Sequence, residues 1–182
     1  REILKELLAE NSKKISEVQR CLLPLKNCYN SKAFEISEYT DFYSCKNHAL
    51  NASKIIRGDK AELSKNWYTL PVAYNGRASS IVISDSDIRR PTGQIYEQAN
   101  GIVKFEPTKK LDFELEMGTV IGGSLPIGET LDFQEAENLI FGYVLLNDWS
   151  ARDIQAWEYQ PLGPFLSKSF GTSISPWIVT PE

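Results

Sequence analysis

From Trp67 onward the chain is cut into short apolar runs by Pro71, Gly76, Pro91, Gly93, Gly101, Pro107 and the Gly122-Gly123 pair, and this punctuation is what most constrains the fold. Proline cannot donate into a strand ladder and glycine favours turns, so the texture is that of many short strands joined by turns. Gly142-Tyr143-Val144-Leu145-Leu146 reads as a buried strand that delivers Asn147 and Asp148 at its end. A helix is expected over Phe133 to Ile140, and another with Ala49, Ala52, Ile55 and Ile56 on one side and His48 at or near its start. Ahead of them, Ile3, Leu4, Leu7 and Leu8, then Ile15, Val18 and Leu22, recur at helical spacing around an Asn11-Ser12 break. That pattern predicts two short helices with core-facing stripes. The whole reads as mainly β with peripheral helices, an α+β chain, with no repeat or linker that splits it.

Charge and length remove several function classes. The 24 acidic and 20 basic residues leave a net charge of -4; the Lys and Arg are scattered, so no phosphate-backbone footprint forms and nucleic acid is not an expected partner. No stretch approaches the roughly 18 to 20 apolar residues that cross a bilayer, and the first residues lack a signal-peptide pattern. No membrane partner is expected. The three cysteines, Cys21, Cys28 and Cys45, are odd in number and lack CxxC spacing, which argues against a disulfide framework or a zinc ribbon and for a reducing, cytoplasmic setting. Asn51-Ala52-Ser53 matches a glycosylation acceptor, a pattern short enough to arise by chance.

The chemistry is densest in Leu111-Asp112-Phe113-Glu114-Leu115-Glu116-Met117, where apolar and acidic residues alternate. In a strand this sends Leu111, Phe113, Leu115 and Met117 to the core and sets Asp112, Glu114 and Glu116 side by side on the other face. On pattern alone, an amphipathic strand with a solvated face is the plainer reading. Acids at i and i+2 lie about 7 Å apart, however, with no Lys or Arg interleaved. A hard cation would relieve their repulsion. With one histidine and no paired cysteines, carboxylates are the available anionic ligands, and oxygen-only coordination selects Ca²⁺, Mg²⁺ or Mn²⁺ over zinc or copper. Asp41, beside aromatic residues, and Asp148, between an apolar run and Trp149, are further candidates; each also suits a cap or turn. His48 is the one imidazole and the side chain best suited to accept a proton near neutral pH. Arg152, Gln155, Tyr159 and Lys168 form a donor-rich stretch that could hold a carboxylate or an oxyanion, or simply pair at the surface.

Five motifs carry a resemblance: Tyr39-Thr-Asp-Phe-Tyr-Ser44, Leu70-Pro-Val-Ala-Tyr-Asn-Gly-Arg-Ala-Ser-Ser80, Glu114-Leu-Glu116, Asn147-Asp-Trp-Ser-Ala-Arg-Asp-Ile-Gln155 and Gly163-Pro-Phe-Leu-Ser-Lys-Ser-Phe-Gly-Thr172. In content and order they resemble the fumarylacetoacetase (fumarylacetoacetate hydrolase) family, from about Tyr39 to the end. The resemblance implies a mixed β-sandwich roll with peripheral helices and a homodimer. It implies a divalent metal, usually Ca²⁺, on Asp41, Glu114, Glu116 and Asp148, and a Mg²⁺ linked to Asp148, Lys168 and Thr172. It also implies His48 as proton acceptor, Tyr43, Arg57, Gln155 and Tyr159 as substrate contacts, Tyr74 in the pocket, and Arg152 near the reacting carbonyl.

The implied reaction is hydrolysis of the carbon-carbon bond of 4-fumarylacetoacetate, a diketo dicarboxylate, to fumarate and acetoacetate, the last step of tyrosine and phenylalanine breakdown. Water must attack a carbonyl and a carbanion must leave, so both developing charges need stabilising: by a Lewis-acid metal, and by Lys168, Arg152 and Gln155, one well-placed donor being worth roughly 3 kcal/mol. Relatives cleaving acylpyruvates or decarboxylating oxaloacetate are the alternative enzymes. Family members are longer, so residues 1–38 read as a helical lead-in from a missing N-terminal domain and 39–182 as the first half of the catalytic domain. On that reading the family's later threonine and histidine-orienting glutamate have no counterpart here, and a truncated, non-catalytic form is a further alternative. Asn75 stands where relatives commonly carry a histidine, with a mild effect expected.

Overall fold

The structure is a computed structural model that describes residues 2–181. The chain divides into two compact units, meeting between Ser31 and Lys32. In the first, α1 (Glu2–Leu8) and α2 (Ile15–Cys21) are followed by a single 3₁₀ turn at Leu25–Asn27. The helices fall where the spacing predicts, but their stripes do not form a core: Ile3, Leu4, Leu8, Ile15 and Leu22 are exposed and neither helix buries a residue. Two helices of seven residues offer too little surface to bury one another.

The second unit begins with β1 (Thr40–Phe42), which pairs antiparallel with β2 (Ala73–Asn75) and sets Asp41 opposite Tyr74. Between them lies α3 (Lys46–Arg57), with Ala49, Ala52 and Ser53 buried and Gly58, at φ 90°, closing its end. Gly76, just after β2, lies against the Tyr39 ring; an added Cβ would overlap that ring unless the ring moved aside. β3 (Ile81–Ile83) is followed by a hairpin of β4 (Thr92–Glu97) and β5 (Ile102–Pro107), in whose turn Gly101 takes φ 70°.

The next segment departs from the expected single strand. It is broken into β6 (Leu111–Asp112) and β7 (Leu115–Ile121), with Phe113 and Glu114 between. The alternation persists with the opposite sense: Leu115, Met117 and Phe113 are 77%, 69% and 65% exposed while Glu114 is 6% exposed. Period two specifies two faces and not which one turns inward. Here the inward face of β7 carries Gly118 and Val120 beneath Val144 and Leu146, and the acids meet cations from elsewhere in the fold.

After α4 (Phe133–Asn138), whose N-cap Asp132 forms a capping box with Glu135, comes β8 (Ile140–Asp148). β8 buries Gly142 and Val144 but leaves Leu145 65% exposed, so it is a half-buried strand and not one covered on both faces. β9 (Ser150–Ala151) pairs with β6; α5 (Arg152–Glu158), α6 (Leu166–Ser169) and β10 (Thr172–Ile174) complete the unit. The largest sheet runs β3-β10-β8-β7, with β10 parallel to β3 and antiparallel to β8. Its core is Ile81, Val144 and Ile174, and a second cluster of Ile95, Ala151 and Ile154 seats α5 on β4. The architecture is therefore mixed sheets with a few helices, α+β. Among the described residues no helix is long and apolar enough to cross a membrane.

Candidate active site and metal centre

Strand ends and a strand break deliver the acids. The backbone N–H of Asp148 donates to the Glu114 carbonyl at 3.1 Å, and Asn147 Oδ1 accepts from Glu114 N at 3.2 Å. The end of β8 thus fixes the kink from which Glu114 points inward. Glu116 follows on the same face of β7, while Asp41 comes from β1 and Asp148 from β8, where its register partner is Thr172. Oxygens of Asp41, Glu116 and Asp148 all lie within 4.8 Å of one another. Thr172 is buried beside this cluster, 1% exposed.

Glu114 is held differently. Lys168 donates to its Oε2 at 2.5 Å, Arg152 Nη2 to its Oε1 at 2.8 Å, and His48 Nε2 lies 3.3 Å from Oε1. Burial alone would raise this carboxyl; His48, Lys168 and Arg152 outweigh it and hold it well below the ordinary carboxylate range. Lys168 also reaches Asp148 Oδ2 at 2.8 Å. Burial lowers the Lys168 ammonium, but Asp148 and Glu114 reverse that and raise it, so it is a cation at neutral pH. Arg152 is likewise lowered by burial and raised on balance by Glu114 and Asp112, donating from Nε to Asp112 Oδ2 at 2.8 Å. Asp112, the third acid of the alternating run, is therefore the partner of an arginine.

Of the three clustered acids, Asp148 shares Lys168 with Glu114, while Asp41 and Glu116 have no ion pair among the described residues. Burial and the charges of Asp41, Asp148 and Glu114 push Glu116 up to about 8. Asp148 is raised to about 6, chiefly by burial, with Lys168 opposing and Glu114 and Asp41 adding to the rise. Tyr74 donates from its hydroxyl to Asp148 Oδ2 at 2.9 Å and is itself raised by burial and by Asp148 and Asp41. Asp148 Oδ1 is buried and has no hydrogen-bond partner among the described residues. Three carboxylates that share a single lysine, one with an orphaned buried oxygen, form an all-oxygen donor set that suits a hard divalent cation.

A cleft of about 510 Å³ opens over this centre. Asp41, Glu114 and Glu116 reach it from below, and His48 stands at its wall, its ring edge-on to Tyr43 at 5.9 Å. Tyr43, Arg57, Tyr74, Gln155, Tyr159 and Lys168 also line it. Arg152 does not; it sits behind Glu114 and donates from Nη1 to Gln155 Oε1 at 3.0 Å. Two contributors were not singled out as site residues from the sequence: Ser53, which meets both Arg57 and Tyr43, and Trp67, whose indole N–H donates to the Tyr43 carbonyl at 2.6 Å. The four-residue spacing of Ser53 and Arg57 on one helix was a legible signal; nothing local marks Trp67.

Fold and site together define an α+β protein whose cleft ends in an acidic centre fitted to a divalent cation. Residues 38–182 match a family model described as Fumarylacetoacetate (FAA) hydrolase C-terminal, and the chain belongs to that family. It is 58% identical over 145 residues to the fumarylacetoacetase of Arabidopsis thaliana, covering 80% of this chain and 34% of that protein. It is 49% identical over 177 residues to the fumarylacetoacetase fahA of Aspergillus fumigatus, covering 96% of this chain and 40% of the other. The chain thus spans between a third and two fifths of the length of the curated relatives it matches. Among solved structures, a crystal structure of Cg1458 with inhibitor superimposes with a TM-score of 0.56 over 87% of this chain and 49% of that one, at 18% identity, a likeness of fold.

Proposed function

We propose that this chain carries the active-site cleft of a fumarylacetoacetase, hydrolysing the carbon-carbon bond of 4-fumarylacetoacetate to fumarate and acetoacetate, the last step of tyrosine and phenylalanine breakdown. The observation that carries the reading is that Asp41 and Glu116, two of the three acids clustered with Asp148, line one cleft with His48 and Arg57. Family membership and the fumarylacetoacetases among its relatives point the same way.

The residues divide the work. Asp41, Glu116 and Asp148, with Glu114 beside them, would hold a Ca²⁺, with Mg²⁺ or Mn²⁺ as other hard cations for the acids and a Mg²⁺ near Asp148, Lys168 and Thr172. When bound, such a cation would supply Lewis acidity toward the diketone. His48, at the wall, takes a proton from water as the oxygen attacks the carbonyl; the bond between that carbon and the neighbouring methylene then breaks, and the electron pair leaves as an enolate that is protonated to acetoacetate. Glu114 keeps His48 oriented and Lys168 charged. Lys168 and Gln155 face the developing oxyanion, with Arg152 fixing Gln155 from behind. Tyr43, Arg57 and Tyr159 grip the substrate carboxylates, and Tyr74 steadies Asp148. A cytoplasmic homodimer, with residues 1–38 leading in from a preceding domain and 39–182 forming the first part of the catalytic domain, completes the reading.

Loss of diketone absorbance, followed with and without a chelator, is the test. Chelation should stop turnover, and His48→Ala should slow it about 10²- to 10⁴-fold; turnover indifferent to both overturns the assignment. A panel including acylpyruvates and oxaloacetate fixes the substrate.

A further inference from the structure

We propose that Ser53 is a positioning residue whose hydroxyl sets Arg57 and Tyr43 at the mouth of the cleft, and through them the affinity for a substrate carboxylate; the inference rests on the reading of the cleft given above. Ser53 lies inside α3 and is 5% exposed. A buried helical serine ordinarily satisfies itself by bonding back to the carbonyl four residues earlier, which here is Ala49. That carbonyl is taken: the Tyr43 hydroxyl donates to it at 2.7 Å. The Ser53 hydroxyl is left for other partners. Its oxygen accepts from Arg57 Nη2 at 2.8 Å, and it lies 3.4 Å from the Tyr43 hydroxyl oxygen. Because the Tyr43 proton is committed to Ala49, the proton on that second contact comes from Ser53. One hydroxyl thus accepts from the guanidinium and donates to the phenol.

The consequence is preorganisation. Arg57 is exposed at the end of α3, where an arginine would sample many rotamers. Its Nη2 is instead fixed twice, by Ser53 and by the Glu62 carbonyl at 3.0 Å. Among the described residues Nε and Nη1 have no bonding partner, and the side chain lines the cleft. A planar guanidinium anchored through one nitrogen keeps its remaining donors in a set direction for a carboxylate. Immobilising such a side chain only on binding would weaken affinity by up to about tenfold.

The test uses the full-length protein loaded with Ca²⁺, with two probes measured by calorimetry: fumarate, a dicarboxylate, and acetylacetone, a diketone with no carboxylate. Ser53→Ala should weaken fumarate binding, and raise KM, about five- to tenfold while kcat stays within twofold and acetylacetone binding is unchanged. In an Arg57→Ala background Ser53→Ala should cost nothing further. Equal loss for both probes marks Ser53 as a general structural support and overturns the inference, as does an effect additive with Arg57→Ala or no effect at all. Should Ser53→Ala fold poorly, Ser53→Cys in the same two-probe comparison decides between the outcomes. A wild-type protein that cleaves no fumarylacetoacetate sinks the functional reading alone; fumarate binding still decides Ser53.

Discussion

Glu114 and Glu116 stand two residues apart on one face of the same run, yet their surroundings drive them in opposite directions. Glu114 is clamped by Lys168, Arg152 and His48 and ionises well below the usual range; Glu116, with Asp41 and Asp148 for company, is pushed up to about 8. Glu114 is buried and Glu116 half-buried, so burial, which raises both, would order them the other way. The distinction is the supply of cations, which the fold places at one acid and withholds from the other. A catalytic pocket that must attract an external dication needs acids its own side chains leave uncompensated. A pocket that must hold its shape needs the reverse. The site contains both, side by side.

The largest expected effect comes from breaking the clamp. Lys168 bridges Glu114 and Asp148 while 4% exposed. Lys168→Met would leave Asp148 without its cation and Glu114 with only Arg152 and His48, and removal of one partner of a buried pair costs about 3–5 kcal/mol. Chemical denaturation of the metal-free protein measures it. A loss under about 1 kcal/mol would show that water reaches the clamp and that the contrast with Glu116 is small.

Second in size is the response to metal. If the uncompensated acids are the receptor, a dication present at about 100 times its Kd stabilises the fold by about 2.7 kcal/mol. Glu116→Gln should abolish most of that increment, since an amide keeps the shape and loses the charge. Calorimetry or thermal unfolding with and without Ca²⁺ checks it. Equal stabilisation in wild type and Glu116→Gln would remove Glu116 from the metal centre.

How much of this contrast could be read in advance depended on range. The period-two run between Leu111 and Met117 correctly put three acids on one face, and the motifs around Asp41 and Asp148 were legible as acids in unusual company. What local pattern could not supply was the sense of the strand. Leu115 and Met117 face outward because the charges that satisfy Glu114 arrive from Lys168, 54 residues away, and from Arg152 on α5. Those contacts are made only by the folded chain. The same limit hid the repulsion's first remedy: the sequence suggested an external cation for the run, with Glu114 and Glu116 among its ligands, whereas the protein's own cations pair with Asp112 and Glu114. The exposed stripes of α1 and α2 mark the other limit, since helical spacing reports an apolar face and not a partner for it.

The third effect is pH dependence, and its sign follows from the opposed shifts. Glu116 titrates at 4.5 in the unfolded chain and at about 8 in the metal-free fold. Its native state therefore binds more protons between those values, and its contribution to stability is fully present below about 4.5 and lost as pH rises through about 8. Glu114 is depressed, so its contribution is present above 4.5 and lost as acid protonates it. A dication competes with the protons on Glu116 and Asp148, so apparent metal affinity should rise between pH 5.5 and pH 8. Metal titrations at the two pH values test this. In Glu116→Gln the high-pH fall in metal-free stability should shrink while the acid limb, owed to Glu114, remains.

The smallest effect sharpens the comparison from the compensated side. Asp112 pairs with Arg152 Nε at 2.8 Å, but its side chain is 34% exposed, whereas that of Glu114 is 5% exposed. An ion pair open to water is worth about 1 kcal/mol or less. Arg152 retains Glu114 and Gln155 when Asp112 is neutralised, so no buried charge is left alone. Asp112→Asn should therefore lower stability by no more than about 1 kcal/mol, with most of that loss masked at high salt, and leave kcat nearly unaltered. A loss as large as that of Lys168→Met would mean that Asp112 is what orients Arg152 toward Glu114, and that the clamp takes in both Asp112 and Glu114 and leaves out Glu116.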